Sequence, residues 1–99
     1  MLKITIDETA TTATMKLEGR VAGAWVQEFE KSWESMGQVL GPRKLTVDLS
    51  GVTYMDLDAR DLLAKIHAKT GADLLSKAPL VNYFVEQARR SKTERMEEK

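Results

Sequence analysis

The chain contains no cysteine and only 2 prolines among its 99 residues. Without cysteine it can form no disulfide framework, no thiolate zinc site and no cysteine nucleophile, so its stability must come from an apolar core. An intracellular, reducing compartment is compatible with this composition. The 42% of hydrophobic and 30% of charged residues fit one globular domain, because chains of this length seldom divide in two.

Neither sign of charge is in excess. Basic and acidic residues each total 15, with 6 basic and 7 acidic side chains over 1–50 and 9 and 8 over 51–99. No basic surface typical of nucleic-acid binding is therefore expected. No run approaches the ~20 apolar residues of a membrane span, and the N-terminus does not resemble a signal peptide. We expect a soluble cytoplasmic protein that does not insert into membranes.

Alternation of polar and apolar residues predicts strands at 2–7 and 13–18, which a short turn joins as a hairpin. A third strand is expected over 44–49 and, with its Leu-Val-Leu face, at the centre of the sheet. Ser50-Gly51 then predicts a turn, and 72–76 a brief fourth strand.

Helical spacing begins at Ala24 and predicts an amphipathic helix that ends near Gly37 or Gly41. Its predicted buried face carries both tryptophans and consists of Trp25, Val26, Phe29, Trp33, Met36 and Leu40. A second helix follows an N-cap at Asp56 or Asp58 and stops at Gly71. A third helix, starting at Pro79, has the buried stripe Leu80, Val81, Phe84, Val85 and Ala88.

After Arg89, the only apolar residue is Met96, which lies among mixed charges. We therefore expect one domain over 1–90 and a charged, disordered tail over 91–99. The order β-β-α-β-α-β-α indicates an α/β fold with a mixed sheet and helices on at least one face.

Asp56, Asp58 and Asp61 form the densest acidic cluster and stand where a strand leads into a helix. An apolar run followed by Asp-x-Asp resembles the first motif of haloacid-dehalogenase-type phosphotransferases. That chemistry also needs a downstream lysine and a further acidic group for magnesium, and the chain is too short for the usual second half. Helix capping accounts for the same carboxylates, so we expect no enzyme activity.

The sequence also offers no convincing metal or cofactor site. His67 is the only histidine, and Asp61 lies on a roughly opposite face of the same predicted helix, which favours a polar surface role for His67. A glycine-rich phosphate loop and a Ser-His-Asp order are both missing. We therefore predict no metal and no cofactor.

The chain resembles a STAS domain, the fold of anti-sigma-factor antagonists and sulfate-transporter tails. The resemblance covers roughly residues 2–88 and is carried by three segments: Leu17-Glu18-Gly19-Arg20, the run from Lys44 to Asp56 (KLTVDLSGVTYMD), and Ala59-Arg60-Asp61-Leu62-Leu63. It implies a mixed sheet of four or five strands flanked by about three helices. It also implies no catalysis and a protein partner docked near the start of the second helix.

In regulated members of that family, a serine or threonine stands two residues after the aspartate that matches Asp56 and is phosphorylated by a partner kinase. This chain has Asp58 there, followed by Ala59 in place of the usual glycine. An aspartate cannot accept that phosphate and carries less charge than one. Asp58 is thus either a permanent substitute for the phosphate or simply a helix cap. The loop at 21–23 also lacks the acidic residue that the family often has.

The resemblance places the partner-binding surface at Met55, Asp56, Leu57, Asp58, Ala59 and Arg60. Leu57 lies between two carboxylates, so it either packs inward or anchors a partner. The resemblance implies as partner an anti-sigma factor or a related kinase in a bacterial-type regulatory pathway. In the alternative interpretation the chain is an auxiliary subunit of a lipid or anion transport complex and docks on its cytoplasmic ATPase.

Overall fold

The structure is a computed structural model that describes the backbone of residues 2–97 and the side chains of residues 2–90. Its elements follow the predicted order β-β-α-β-α-β-α. They are β1 (Leu2–Glu8), β2 (Thr12–Val21), α1 (Ala24–Leu40), β3 (Lys44–Met55), α2 (Leu57–Thr70), β4 (Asp73–Leu75) and α3 (Pro79–Glu97).

The four strands form one mixed sheet in the order β1-β2-β3-β4. The first two strands are an antiparallel hairpin, whose turn is closed by the Thr12 amide donating to the Thr9 hydroxyl at 2.9 Å. The other two pairings, β2 with β3 and β3 with β4, are parallel. β3 therefore lies in the interior of the sheet, as its apolar face predicts.

The turn predicted at Ser50-Gly51 is wrong, since β3 continues through these residues to Met55. The reason is tertiary: β2 runs alongside and, after a shift in register, pairs Glu18 with Gly51. A Cβ atom on Gly51 would lie 2.8 Å from the Glu18 Cγ atom. A larger residue at position 51 would therefore crowd the Glu18 side chain, and glycine avoids this contact.

In the regularly alternating parts of the two central strands, 13–17 and 45–49, the buried residues point to one face of the sheet. They alternate along β2 and β3 and comprise Ala13, Met15, Leu17, Leu45, Val47 and Leu49. The three helices pack against this face, since β2 contacts α1 and β3 contacts both α2 and α3. The intervening residues are polar and half-buried, which gives a two-layer fold with one open face.

Asp48 lies on the open face, beside Lys16 in the register of β2 and β3. The Ser50 amide donates a hydrogen bond of 2.9 Å to its carboxylate. Hydrogen bonds from Ser50, aided by the positive charges of Lys16 and Lys77, hold the pKa of Asp48 below its usual value of 3.8. A fixed negative charge therefore lies on the open side of the sheet.

Helix α1 begins at Ala24 as predicted and ends at the second of the two predicted glycines, with Gly41 as its C-cap. Phe29 and Trp33 are buried, but Trp25 is 40% exposed, so its predicted place in the core is wrong. Each step of four residues turns a side chain by about 40° around the helix. Trp25 thus lies beyond the edge of the stripe that Phe29 and Trp33 bury.

Helix α3 runs from Pro79 to Glu97 and buries Val81, Val85 and Ala88. Leu80, which the spacing placed in the buried stripe, is 43% exposed, so its predicted place in the core is wrong. The helix also continues past residue 90, into the segment expected to be a disordered tail, whose last two residues lie outside the described backbone. None of the helices described is both long and apolar enough to cross a membrane.

We expect Phe29→Ala to lower the free energy of unfolding by about 3–5 kcal/mol, because it empties a fully buried aromatic site. Trp25→Ala on the same helix is the matched control and should cost about 1 kcal/mol or less. Urea unfolding of both variants measures the difference. Equal losses would contradict the assignment of only one of the two aromatics to the core.

Candidate functional site

The junction between β3 and α2 is built around Asp56. Met55 ends the strand in the core, and Asp56 adopts an extended backbone conformation as the N-cap of α2. Its Oδ1 atom accepts a hydrogen bond from the Ala59 amide at 2.9 Å. Of the two N-caps that the sequence left open, the structure selects Asp56, and this bond satisfies one of the free amides of the first turn.

The second carboxylate oxygen of Asp56 reaches a different loop. Its Oδ2 atom accepts a hydrogen bond from the Gly23 amide at 2.9 Å, and the Asp56 amide donates to the Val21 carbonyl at 3.2 Å. Gly23 has a φ of 59°, a conformation that glycine tolerates better than other residues. Asp56 thus joins the start of α2 to the start of α1. Sequence spacing carries no signal of this contact.

The six residues of the predicted partner surface differ in how far their side chains are exposed. The side chains of Met55 and Ala59 are fully buried, the first on the inner face of β3 and the second on the inner face of α2. The predicted set is corrected accordingly, since those two side chains belong to the core. Leu57 and Asp58 are exposed, whereas Asp56 and Arg60 are half-buried.

Arg60 extends from α2 towards α3. One guanidinium nitrogen donates to the Gln87 Oε1 atom at 2.8 Å, and another lies 3.0 Å from the Asp61 Oδ1 atom. Arg60 and Gln87 line a cleft of about 600 Å³ between α2 and α3, together with Asp61 and Tyr83. Asp61 therefore forms an ion pair with Arg60, whereas Asp56 accepts hydrogen bonds from backbone amides. These two members of the acidic cluster thus do not form one common site.

Arg20 and Tyr54 form a contact that the sequence did not predict. They are neighbours in the register of β2 and β3, and the Arg20 guanidinium carbon lies 4.8 Å from the centre of the Tyr54 ring. The pair is a cation–π contact near the ends of these strands, one residue before the Val21 and Met55 pair. Only the shifted strand register reveals it, because the two residues are far apart in the sequence.

His67 is half-buried in the last turn of α2. Its Nδ1 atom lies 2.8 Å from the Ala72 carbonyl oxygen, so the ring links the helix end to the segment that leads into β4. Gly71 follows in a left-handed conformation and stops the helix, as predicted. Within the described part of the chain, no three histidine, aspartate or glutamate side chains come together in a way that could hold a metal ion.

No family model and no curated protein sequence matches the chain. Solved structures do match. An anti-sigma factor antagonist from Mycobacterium paratuberculosis is similar with a TM-score of 0.73 and 17% identity, over 94% of this chain and 82% of that one. An uncharacterised protein from Shewanella loihica with a SpoIIAA-like fold is similar with a TM-score of 0.55 and 14% identity, over 88% and 76%.

A third similar structure is the murine Slc26a9 anion transporter in its inward-facing state. The TM-score is 0.59 at 23% identity, and the match spans 81% of this chain but only 14% of the transporter. Together these structures show that the chain has a STAS-like, SpoIIAA-like fold: a four-stranded mixed sheet with three helices. The fold predicted from the resemblance is confirmed.

We expect Asp56→Ala to lower the free energy of unfolding by about 1–3 kcal/mol, because the Gly23 and Ala59 amides both lose their acceptor. Asp58→Ala is the matched control in the same turn and should cost about 0.3–1 kcal/mol through the helix dipole alone. Chemical denaturation of both variants measures the losses. A larger loss for Asp58→Ala would contradict the capping role of Asp56.

Proposed function

We propose that this STAS-like chain is a non-catalytic protein-interaction module in a bacterial-type regulatory pathway, and that it acts in the cytoplasm like an anti-sigma-factor antagonist. The partner, an anti-sigma factor or a related kinase, docks on the surface formed by Asp56, Leu57, Asp58 and Arg60. The fold of the anti-sigma factor antagonist to which the chain is similar supports this class of function. The observation that carries the proposal is the exposure of Leu57.

Leu57 is 56% exposed at the first position of α2. The inner face of that helix is formed instead by residues such as Leu62, Leu63 and Ile66. Leu57 therefore does not pack inward, which was the alternative explanation for an apolar residue between two carboxylates. An apolar side chain within a charged surround is the arrangement that interface anchors share, since burial of the anchor supplies affinity and the charged rim supplies orientation.

In the resemblance to STAS domains, Asp58 takes the position of the residue that is phosphorylated in regulated members of that family. Because Asp56 supplies the cap, a capping role does not account for Asp58. Its carboxylate is exposed in the first turn, at the positive end of the helix dipole. We infer that it presents a constant negative charge to the partner, so kinase control through this position is absent.

The engagement of Asp56 supports the absence of catalysis. Both of its carboxylate oxygens accept backbone hydrogen bonds, from Gly23 and from Ala59. A carboxylate nucleophile must instead direct an oxygen at the substrate phosphorus, within a site that also holds a magnesium ion. The Asp-x-Asp sequence is thus better explained by a cap followed by a surface charge.

A second candidate function keeps the same surface but changes the partner. The likeness to a segment of an anion transporter supports an auxiliary subunit of a membrane transport complex, and in that case we propose a cytoplasmic ATPase as the partner. Affinity capture from the native organism separates the two candidates, because the first predicts an anti-sigma factor or kinase and the second a transport ATPase.

Once the partner is identified, we expect Leu57→Ala to weaken binding about tenfold or more through loss of the anchor. Asp58→Ser should weaken it less, by removal of one charge, while the melting temperature of the free protein changes little. Leu80→Ala is the matched control, since Leu80 is an exposed leucine at the start of another helix. Isothermal titration measures all three; wild-type affinity for both test variants would show that this surface is not the docking site.

With magnesium and an aryl phosphate, we expect the purified chain to show only background hydrolysis, because the backbone amides of Gly23 and Ala59 engage both oxygens of Asp56 in a structural cap. Release of the phenol, followed by absorbance, measures the rate. Turnover that is abolished by Asp56→Asn, in a variant still folded by circular dichroism, would contradict the non-catalytic proposal.

A further inference from the structure

Strand β1 forms one edge of the sheet, with β2 on one side and no strand on the other among the residues that the structure describes. It extends over 7 residues without a proline. The free side of such a strand presents backbone N–H and C=O groups that can pair with another strand. Proteins usually protect a long edge, so the sequence of β1 and of its surroundings decides what can pair with it.

Over residues 3–7, the sequence of β1 is complementary to itself in antiparallel pairing. A two-fold axis at Thr5 places Lys3 opposite Asp7 of a second copy, and Ile4 opposite Ile6. Lys3 and Asp7 both lie on the open face of the sheet, and the symmetry forms their ion pair twice. Opposite charges and apolar pairs across strands both stabilise a ladder.

Helix α1 presents an apolar stripe beside this edge. Trp25, Ser32 and Val39 follow at intervals of seven residues, which is close to two helical turns, so they share one side of the helix. Trp25 is 40% exposed and Val39 is 63% exposed. Arg43 ties this stripe to β1, since it donates to the Val39 carbonyl at 2.7 Å and lies 2.8 Å from the Glu8 carboxylate.

The opposite side of α1 is turned towards α2. Glu34 and Gln38 line a cleft of about 720 Å³ together with Lys65 and Lys69 of α2. The stripe of Trp25 and Val39 is therefore on the side away from α2, where the described part of the chain places no other helix.

The lengths of the two elements agree. A strand of 7 residues is about 24 Å long, and a helix of 17 residues about 25 Å long, with Thr5 and Ser32 at their midpoints. Since α1 contacts both β1 and β2, pairing of two β1 strands places the two α1 helices roughly 10 Å apart, which is a normal packing distance. Trp25 of one copy then approaches Val39 of the other, with the small Ser32 at the crossing.

We propose that the chain forms a symmetric homodimer through antiparallel pairing of β1, with the α1 helices packed across the two-fold axis. The dimer joins two four-stranded sheets into one and covers the apolar stripe of Trp25 and Val39. The proposal does not depend on the docking surface at the start of α2, because the residues of the dimer contact are on β1 and α1.

Analytical ultracentrifugation of the full chain, from low micromolar to submillimolar concentration, tests the proposal. We expect a concentration-dependent dimer that Val39→Lys weakens about tenfold or more. Gln38→Lys is the matched control, because the neighbouring residue faces α2, and it should dimerise like the wild type. A monomer at every concentration, or an unchanged dimer in Val39→Lys, would overturn the proposal.

A charge reversal tests the strand register. Lys3→Asp should weaken the dimer by placing two like charges opposite each other, and the combined variant Lys3→Asp, Asp7→Lys should restore it by reversing both members of the pair. Since Lys3 also faces Glu18 within the monomer, the melting temperature of dilute samples monitors any effect on folding. Failure of the combined variant to dimerise better than Lys3→Asp would overturn the register through Thr5.

Discussion

The carboxylate of Asp56 joins the connection between β3 and α2 to the connection between β2 and α1. One oxygen fixes the first turn of α2 and the other fixes the loop that enters α1. Both loops leave the same end of a parallel strand pair, so their relative position would otherwise depend on the strand ends alone. A charged acceptor bonded to two backbone amides defines that position, since charge-assisted hydrogen bonds are stronger than neutral ones.

This arrangement explains why neighbouring residues between 55 and 59 differ in exposure. Met55 and Ala59 lie on the inner side of the junction and are buried, whereas Leu57 and Asp58 lie on its outer side. The capping geometry sets that division, because it fixes the direction in which α2 leaves the sheet. In the proposed docking, a partner would encounter an apolar anchor beside a constant negative charge, at a junction that two backbone hydrogen bonds to Asp56 hold in place.

The placement of all three helices on one face leaves the other surfaces of the sheet with distinct properties. The open face is polar and carries the ionised Asp48, which disfavours stacking of sheets through that face. The edge at β1 has a self-complementary pattern and a neighbouring apolar stripe on α1. The proposed dimer uses this edge and α1, whereas the proposed partner surface is at the start of α2.

Local patterns in the sequence determined the order of elements, the hairpin, the interior place of β3 and the stop at Gly71, because periodicity and glycine act over a few residues. The motif around Asp56 and its resemblance to STAS domains gave the fold class. Tertiary structure alone decided the continuation of β3 through Gly51 and the exposure of Trp25. Tertiary structure also decided the hydrogen bond from Gly23 to Asp56. All three features depend on which distant segment lies alongside. A strand register or a helix rotation leaves no local trace in the sequence.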